Sequence, residues 1–181
     1  MPIETEQIYP DCPTIARTVR VGGLTKPELV EELQRNAISM NESAERLFAS
    51  EHFTTSATRY TVPTVELAVR DLGFSQGPTT AELYAKAAAL GLGLCPPELG
   101  PHLRLQFLDQ PEGYWGQPER KHQAPSNSIT IASQQLVDDD DFPKGFYLRR
   151  IKGVLWLRGY RSGSEHTWDP DDHFIFCQAQ M

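Results

Sequence analysis

The 181-residue chain lacks the long apolar runs and the cysteine pairs that mark membrane or secreted proteins. No apolar run approaches the roughly 18 residues that a membrane-spanning helix needs. Its three cysteines, Cys12, Cys95 and Cys177, are widely separated and odd in number, and no secretion signal precedes them. We therefore expect reduced thiols, a cytoplasmic location and no membrane insertion.

The sequence also lacks the motifs of the commonest catalytic sites. It has no GxxxxGK[ST] phosphate loop, no GxGxxG between a strand and a helix, and no GxSxG nucleophile elbow. An excess of positive charge is absent too, since 17 Lys and Arg stand against 24 Asp and Glu, a formal net charge of −7. Because nucleic acid attracts proteins through a positive field, this balance disfavours nucleic acid as a partner.

The clearest local signal is a β-hairpin at residues 146–161, where two apolar and aromatic runs flank Lys152-Gly153. A two-residue turn there places Arg149 opposite Trp156. One face of the hairpin, with Phe146, Leu148, Leu155 and Leu157, is then apolar, and the other carries arginines and aromatic rings. The candidates for contact with a ligand or partner are Arg149, Trp156, Arg158, Tyr160 and, in the polar loop 109–127, Trp115. A purely structural interpretation stays open, in which Arg149 and Trp156 form a cross-strand cation–π contact of about 0.5–1 kcal/mol.

Four amphipathic helices are predicted in the first half of the chain. Two of them begin with capping boxes, in which Thr25 is followed by Glu28 and Thr79 by Glu82. A third, TVELAVRDLGF, has a glycine where a helix would end. The predicted helices span residues 25–36, 40–49, 64–74 and 80–90.

The second half of the chain is predicted to form strands. HLRLQFL alternates polar and apolar residues at period two, the pattern of a half-buried strand. The predicted strands are 102–108, 128–133, the two strands of the hairpin and 173–177, with a further short strand at 15–21.

The order of these elements predicts an α+β fold in a single domain. A poorly structured leader is expected at residues 1–20, and the domain at 21–181. About four N-terminal helices, at 25–90, should pack on one face of an antiparallel sheet of about five strands, built from residues 102–177.

A group of acidic and histidine residues near the C-terminus is the candidate metal site. Imidazole and carboxylate suit zinc, iron or manganese. The group consists of His166, Asp169, Asp171, Asp172 and His173. Its spacing matches no closed metal motif, and Asp169-Pro170 also starts ordinary turns in which Asp side chains accept backbone hydrogen bonds. No cofactor is expected, with a divalent metal as the alternative.

Three stretches resemble a family of small bacterial proteins of uncharacterised function. They are VRVGGLTKPELVEELQRNAISMNESAERLF, ELGPHLRLQFLDQP and DFPKGFYLRRIKGVLWLRGY. The resemblance spans most of residues 19–176 and implies a bacterial, cytoplasmic origin, but it carries over no catalytic residue. Members of such families sometimes receive enzyme labels such as helicase, which the missing phosphate loop argues against here.

Three functions stay open. The preferred one is a non-enzymatic binding or protein-interaction module that holds a protein partner or a small anionic ligand on the arginine and aromatic face of the hairpin. The first alternative is a metal-dependent hydrolase at residues 166–173. The second is a nucleic-acid binder through the same hairpin face, since single-strand binders combine aromatic rings with arginines.

Overall fold

A computed structural model describes residues 8–115 and 125–178, which combine four α-helices with a sheet of eight strands. The helices are α1 (Lys26–Arg35), α2 (Glu42–Ala49), α3 (Thr80–Ala89) and α4 (Leu99–Gln106). The strands are β1 (Ile15–Val21), β2 (Ser39–Met40), β3 (Tyr60–Ala68), β4 (Leu92–Gly93), β5 (Ile129–Ile131), β6 (Gly145–Ile151), β7 (Val154–Tyr160) and β8 (His173–Gln178). A 3₁₀ turn, Val69–Leu72, follows β3.

Local signals placed α1 and α3 correctly. At both N-termini the threonine hydroxyl accepts the backbone N–H of the glutamate three residues later, and the glutamate side chain accepts the threonine N–H in return. These bonds satisfy amides that the helix itself leaves unpaired. α2 has a different cap, the side chain of Asn41, which accepts the Ala44 N–H.

The predicted hairpin is present with the predicted register. β6 and β7 pair antiparallel, with Arg149 opposite Trp156. Lys152 and Gly153 both have positive φ, at 51° and 75°. This backbone geometry matches the twist of the flanking strands, and glycine adopts it without a steric penalty.

The expected sheet is wrong in size and in direction. Its strand order is β1-β3-β8-β5-β6-β7-β2, and β4 pairs with the far end of β8. β5 runs parallel to β8, and β2 runs parallel to β7, so the sheet is mixed rather than antiparallel. Three of its eight strands, β1, β2 and β3, come from the first half of the chain, and β1 and β3 form an antiparallel pair that extends the sheet beyond β8.

Two segments were predicted with the wrong structure. TVELAVRDLGF forms the end of β3 and the 3₁₀ turn, not a helix. β3 lies between β1 and β8 with both faces covered, so its apolar residues are nearly continuous and do not alternate. HLRLQFL, in turn, contributes to α4, and so the helices are not confined to the N-terminal part. Most of α4 is buried, which removes the polar face that identifies a helix in a sequence.

The sheet is covered on both faces, not on one. α1, α2 and α4 pack on one face, in a core that includes Leu33, Leu103 and Leu148. α3 lies on the other face, in a core that includes Leu83 and Phe174. Among the described residues, none of the helices is long and apolar enough to cross a membrane.

Candidate functional site

A groove of about 910 Å³ opens at the N-terminal end of β5. β5 has only three residues and lies between the longer strands β8 and β6. The groove is lined by residues 125–130 and by side chains of β1, β3, β6, β7 and β8. Because these side chains belong to both faces of the sheet, the groove passes around the start of β5 from one face to the other.

One wall of the groove is formed by the arginine–aromatic cluster, which we define as Trp115, Tyr147, Arg149, Trp156 and Arg158. The ring of Trp156 lies 5.3 Å from Cζ of Arg149 and 5.0 Å from Cζ of Arg158. Arg149 also lies over the Trp115 ring, at 5.5 Å. Arg158 donates from Nε to the Tyr147 hydroxyl at 2.8 Å. Four of the five residues line the groove, and Trp156 contacts both arginines beside it.

The two arginines of this cluster carry charge without a carboxylate. Within residues 8–115 and 125–178, neither Arg149 nor Arg158 forms an ion pair. Burial lowers the pKa of Arg149; the neighbouring Tyr147 acts in the opposite direction, and the charge of Arg158 lowers the pKa. A guanidinium group nevertheless keeps its positive charge in proteins at neutral pH. The groove therefore contains two adjacent positive charges held by aromatic rings.

A third arginine supports this wall from within the core. Arg104, on α4, has 0% of its surface exposed. Its guanidinium donates to Oε1 of Gln110 at 2.6 Å, to the Trp156 carbonyl at 3.2 Å and to the Phe107 carbonyl. Burial lowers its pKa to about 10. Arg104 thus ties α4 to the backbone of the strand that carries Trp156 and Arg158.

The part of the groove on the other face of the sheet carries a linked set of charges from three strands. The carboxylate of Glu66, on β3, accepts Arg17 Nη1 through Oε1 at 2.7 Å and contacts His173 Nδ1 through Oε2 at 2.7 Å. Burial would raise the pKa of Glu66, but hydrogen bonds with His173 and Arg17 outweigh it and the pKa is lowered. The same bond to Glu66 raises the pKa of His173. Sequence analysis missed Arg17 and Glu66, although a single carboxylate inside the apolar run TVELAV was a usable signal.

The candidate metal residues lie at this end of the groove, and most of them form hydrogen bonds or ion pairs with other residues of the protein. Asp171 forms an ion pair with Arg70. Oδ2 of Asp172 accepts the Asp169 N–H at 2.9 Å, and Oδ1 of Asp169 accepts the Asp171 N–H at 2.8 Å, so both close a turn. Burial raises the pKa of Asp172 to about 6.

The two histidines of that group are also placed by neighbours. His166 packs edge-on against Trp168, with ring centroids 4.7 Å apart, and His173 contacts Glu66. In the part of the chain that the structure describes, no three His, Cys, Asp or Glu side chains come together in a way that could hold a metal ion. The metal site therefore stays a prediction without geometric support.

The remaining sequence candidates meet in the groove. Tyr160 lines it and packs edge-on against Trp168, with centroids 5.7 Å apart. Trp115 is 40% exposed, and its neighbour Tyr114 is 70% exposed. Residues 116–124 of the predicted polar loop lie outside the described residues.

Comparison of the chain with protein-family models, with curated proteins and with solved structures finds no significant match. The resemblance to a bacterial family stays an expectation. Function is therefore argued from the geometry of the groove.

Proposed function

We propose that the protein binds a small anionic ligand in the groove, on the guanidinium groups of Arg149 and Arg158. The observation that carries the proposal is the adjacency of these two charges without a carboxylate partner among the described residues. Two like charges at close range repel each other, and the repulsion is relieved when an anion lies between them. In a chain with a net charge of −7, carboxylates for that purpose are abundant, yet none of those in the described residues pairs with either arginine.

The cluster holds the arginines in a way that suits anion binding. Aromatic rings contact Arg149 and Arg158 at 5.0–5.5 Å, which fixes the guanidinium groups with little loss of donor capacity. The planar guanidinium presents paired N–H donors that match a carboxylate, sulfonate or phosphate. Arg158 already uses Nε for Tyr147, which leaves its terminal nitrogens for a ligand.

The shape of the site supports a small ligand over a protein or a nucleic acid. A volume of about 910 Å³ lies within the usual range of small-molecule sites, about 300–1,000 Å³. Glu66, Asp171 and Asp172 line the same groove and would repel an extended polyanion. A compact anion that stays on the arginine wall avoids this repulsion.

Intrinsic fluorescence offers a direct test, because all three tryptophans lie at the site. Trp115 and Trp168 line the groove, and Trp156 contacts both arginines. Benzenesulfonate should change the tryptophan emission saturably, whereas its neutral analogue benzenesulfonamide should not. Added salt should weaken the effect, because the attraction is electrostatic.

Matched substitutions complete this experiment. Methionine in place of Arg149 or Arg158 keeps the aliphatic stem and removes the charge, and each change should weaken benzenesulfonate binding at least about tenfold. Arg35→Met is the control, since Arg35 is exposed on α1 and pairs with Glu31 and Glu32. Equal binding of the sulfonate and the sulfonamide, or unchanged binding by both cluster variants, would overturn the proposal.

A further inference from the structure

We infer that the ligand is an aromatic anion, whose ring stacks on Tyr114 and Trp115 while its charged group binds Arg149. This inference rests on the proposed function and adds the chemical class of the ligand. The residues concerned are adjacent: Arg149 lies 5.5 Å from the Trp115 ring, and Tyr114 precedes Trp115 in the chain.

The exposure of the two rings is the first argument. Tyr114 is 70% exposed and Trp115 is 40% exposed, although both line the groove. The other aromatic rings of the groove are engaged with the protein: Tyr147 binds Arg158, and Trp168 contacts three rings. Large rings left open at the wall of a concave site provide apolar area that a ligand can cover.

The fixed position of the segment is the second argument. The Gly113 N–H donates to the Arg150 carbonyl at 2.7 Å, which attaches the segment to the edge of β6. The Tyr114 N–H donates to Oγ of Ser126 at 2.9 Å, and its carbonyl accepts the Ser126 N–H at 2.9 Å. The backbone that carries the two rings is therefore hydrogen-bonded to β6 and to Ser126, and it lies beside the positive charge of Arg149. Preorganised rings lose little entropy when a ligand stacks on them.

The distance between charge and ring defines the ligand. An anionic group bound to Arg149 lies close to Trp115, because Cζ of Arg149 is 5.5 Å from the Trp115 ring. The anionic group of the ligand must therefore be bonded directly to the ligand's ring or joined to it by a short link. Aryl sulfonates, aryl phosphates and benzoate-like carboxylates meet this condition. Polar groups in the groove wall, including Asn127, Ser128 and Thr130, can bind substituents of the ring.

Titration calorimetry with benzenesulfonate and methanesulfonate separates the contribution of the ligand's ring to the binding affinity from the contribution of its charge. The wild-type protein should bind benzenesulfonate about tenfold more tightly than methanesulfonate, as expected for one stacking interaction. Replacing Tyr114 and Trp115 together by leucine should abolish most of this ratio, and a smaller loss of methanesulfonate binding is expected as well, because Trp115 also contacts Arg149. Leu94→Ala is the control, because Leu94 is 41% exposed and does not line the groove.

The outcomes distinguish the two proposals. If both sulfonates bind equally and binding depends on Arg149, the inference is overturned and the anion site stands. If the double leucine variant keeps the full ratio, the rings are not the stacking surface and the inference is likewise overturned. If neither sulfonate binds, the proposed function itself fails.

Discussion

Replacing Arg104 by methionine should lower the free energy of unfolding by about 3 kcal/mol. The fully buried guanidinium donates to Gln110 and to the carbonyls of Phe107 and Trp156. Hydrogen bonds from a charged donor contribute about 1.5–3 kcal/mol each, or roughly 4.5–9 kcal/mol for the three. Methionine keeps the volume of the stem and loses all of these bonds.

An opposing effect reduces this value. Burial lowers the pKa of Arg104 from its ordinary value to about 10, so keeping the side chain charged costs about 3 kcal/mol. Methionine removes that cost together with the bonds. The difference leaves a destabilisation of about 1–6 kcal/mol, and we take the middle of this interval.

Urea unfolding of the wild type, Arg104→Met and Arg104→Lys measures this balance. Lysine keeps the charge but not the planar fork, so its stability should lie between the other two. Arg35→Met on the exposed face of α1 controls for the loss of an arginine and should change stability by less than about 1 kcal/mol. An Arg104→Met protein as stable as the wild type would refute the reasoning, because the acceptors would then be satisfied without the guanidinium.

Three other substitutions test the charges and the packing around the groove. Because burial raises the pKa of Asp172 to about 6, Asp172→Asn should raise the free energy of unfolding by about 1 kcal/mol at about pH 8, and an unchanged urea midpoint there would contradict this. The bond to Glu66 raises the pKa of His173 above its ordinary 6.5, so the protonated His173 stabilises the fold below pH 6.5, and this stabilisation is lost as the pH rises through the raised pKa. The pKa of Glu66 is lowered, so the ionised Glu66 stabilises the fold above pH 4.5, and this stabilisation is lost as the pH falls through the lowered pKa. His173→Gln should therefore be less stable than the wild type by about 1 kcal/mol between about pH 5 and 6 and by less at about pH 9, whereas a constant deficit would exclude a charge-linked pair. A Cβ at Gly159 would lie 2.8 Å from the Ala44 amide nitrogen, so Gly159→Ala should destabilise by about 2 kcal/mol, and a melting temperature within about 1 °C of the wild type would argue against that contact.

Those parts of the fold that depend on neighbours in the chain could be predicted from the sequence. The capping boxes at Thr25 and Thr79 and the turn at Lys152-Gly153 are local arrangements, and each is present as predicted. Predictions that relied on hydrophobic periodicity failed where burial is complete. β3 is covered on both faces, and α4 is buried around most of its circumference, so neither shows the polar residues that reveal a period.

The site could be predicted only in part, for a related reason. The arginines and aromatic residues of one hairpin face follow from the register of a single turn, and the sequence supplied them. Their position at a groove depends on β5, which pairs antiparallel with β6 and also pairs parallel with β8, a strand more than 40 residues further along the chain. Glu66 and Arg17 come together through the pairing of β1 with β3, in a segment that the sequence predicts as a helix.

The topology also explains why the arginines of the hairpin and the acidic residues near the C-terminus, both predicted as site residues from the sequence, share a groove. β8 begins at His173, directly after the turn of Asp169 and Asp172, and β5 aligns its first residue, Ile129, with His173. On its other side Ile129 faces Leu148, next to Arg149. A strand of only three residues thus sets the acidic turn and the arginine wall on either side of its own start. The acidic residues form turn hydrogen bonds and ion pairs, whereas Arg149 and Arg158 have no carboxylate partner among the described residues. The uncompensated positive charge therefore lies on the hairpin, which is where we expect the proposed anion to bind.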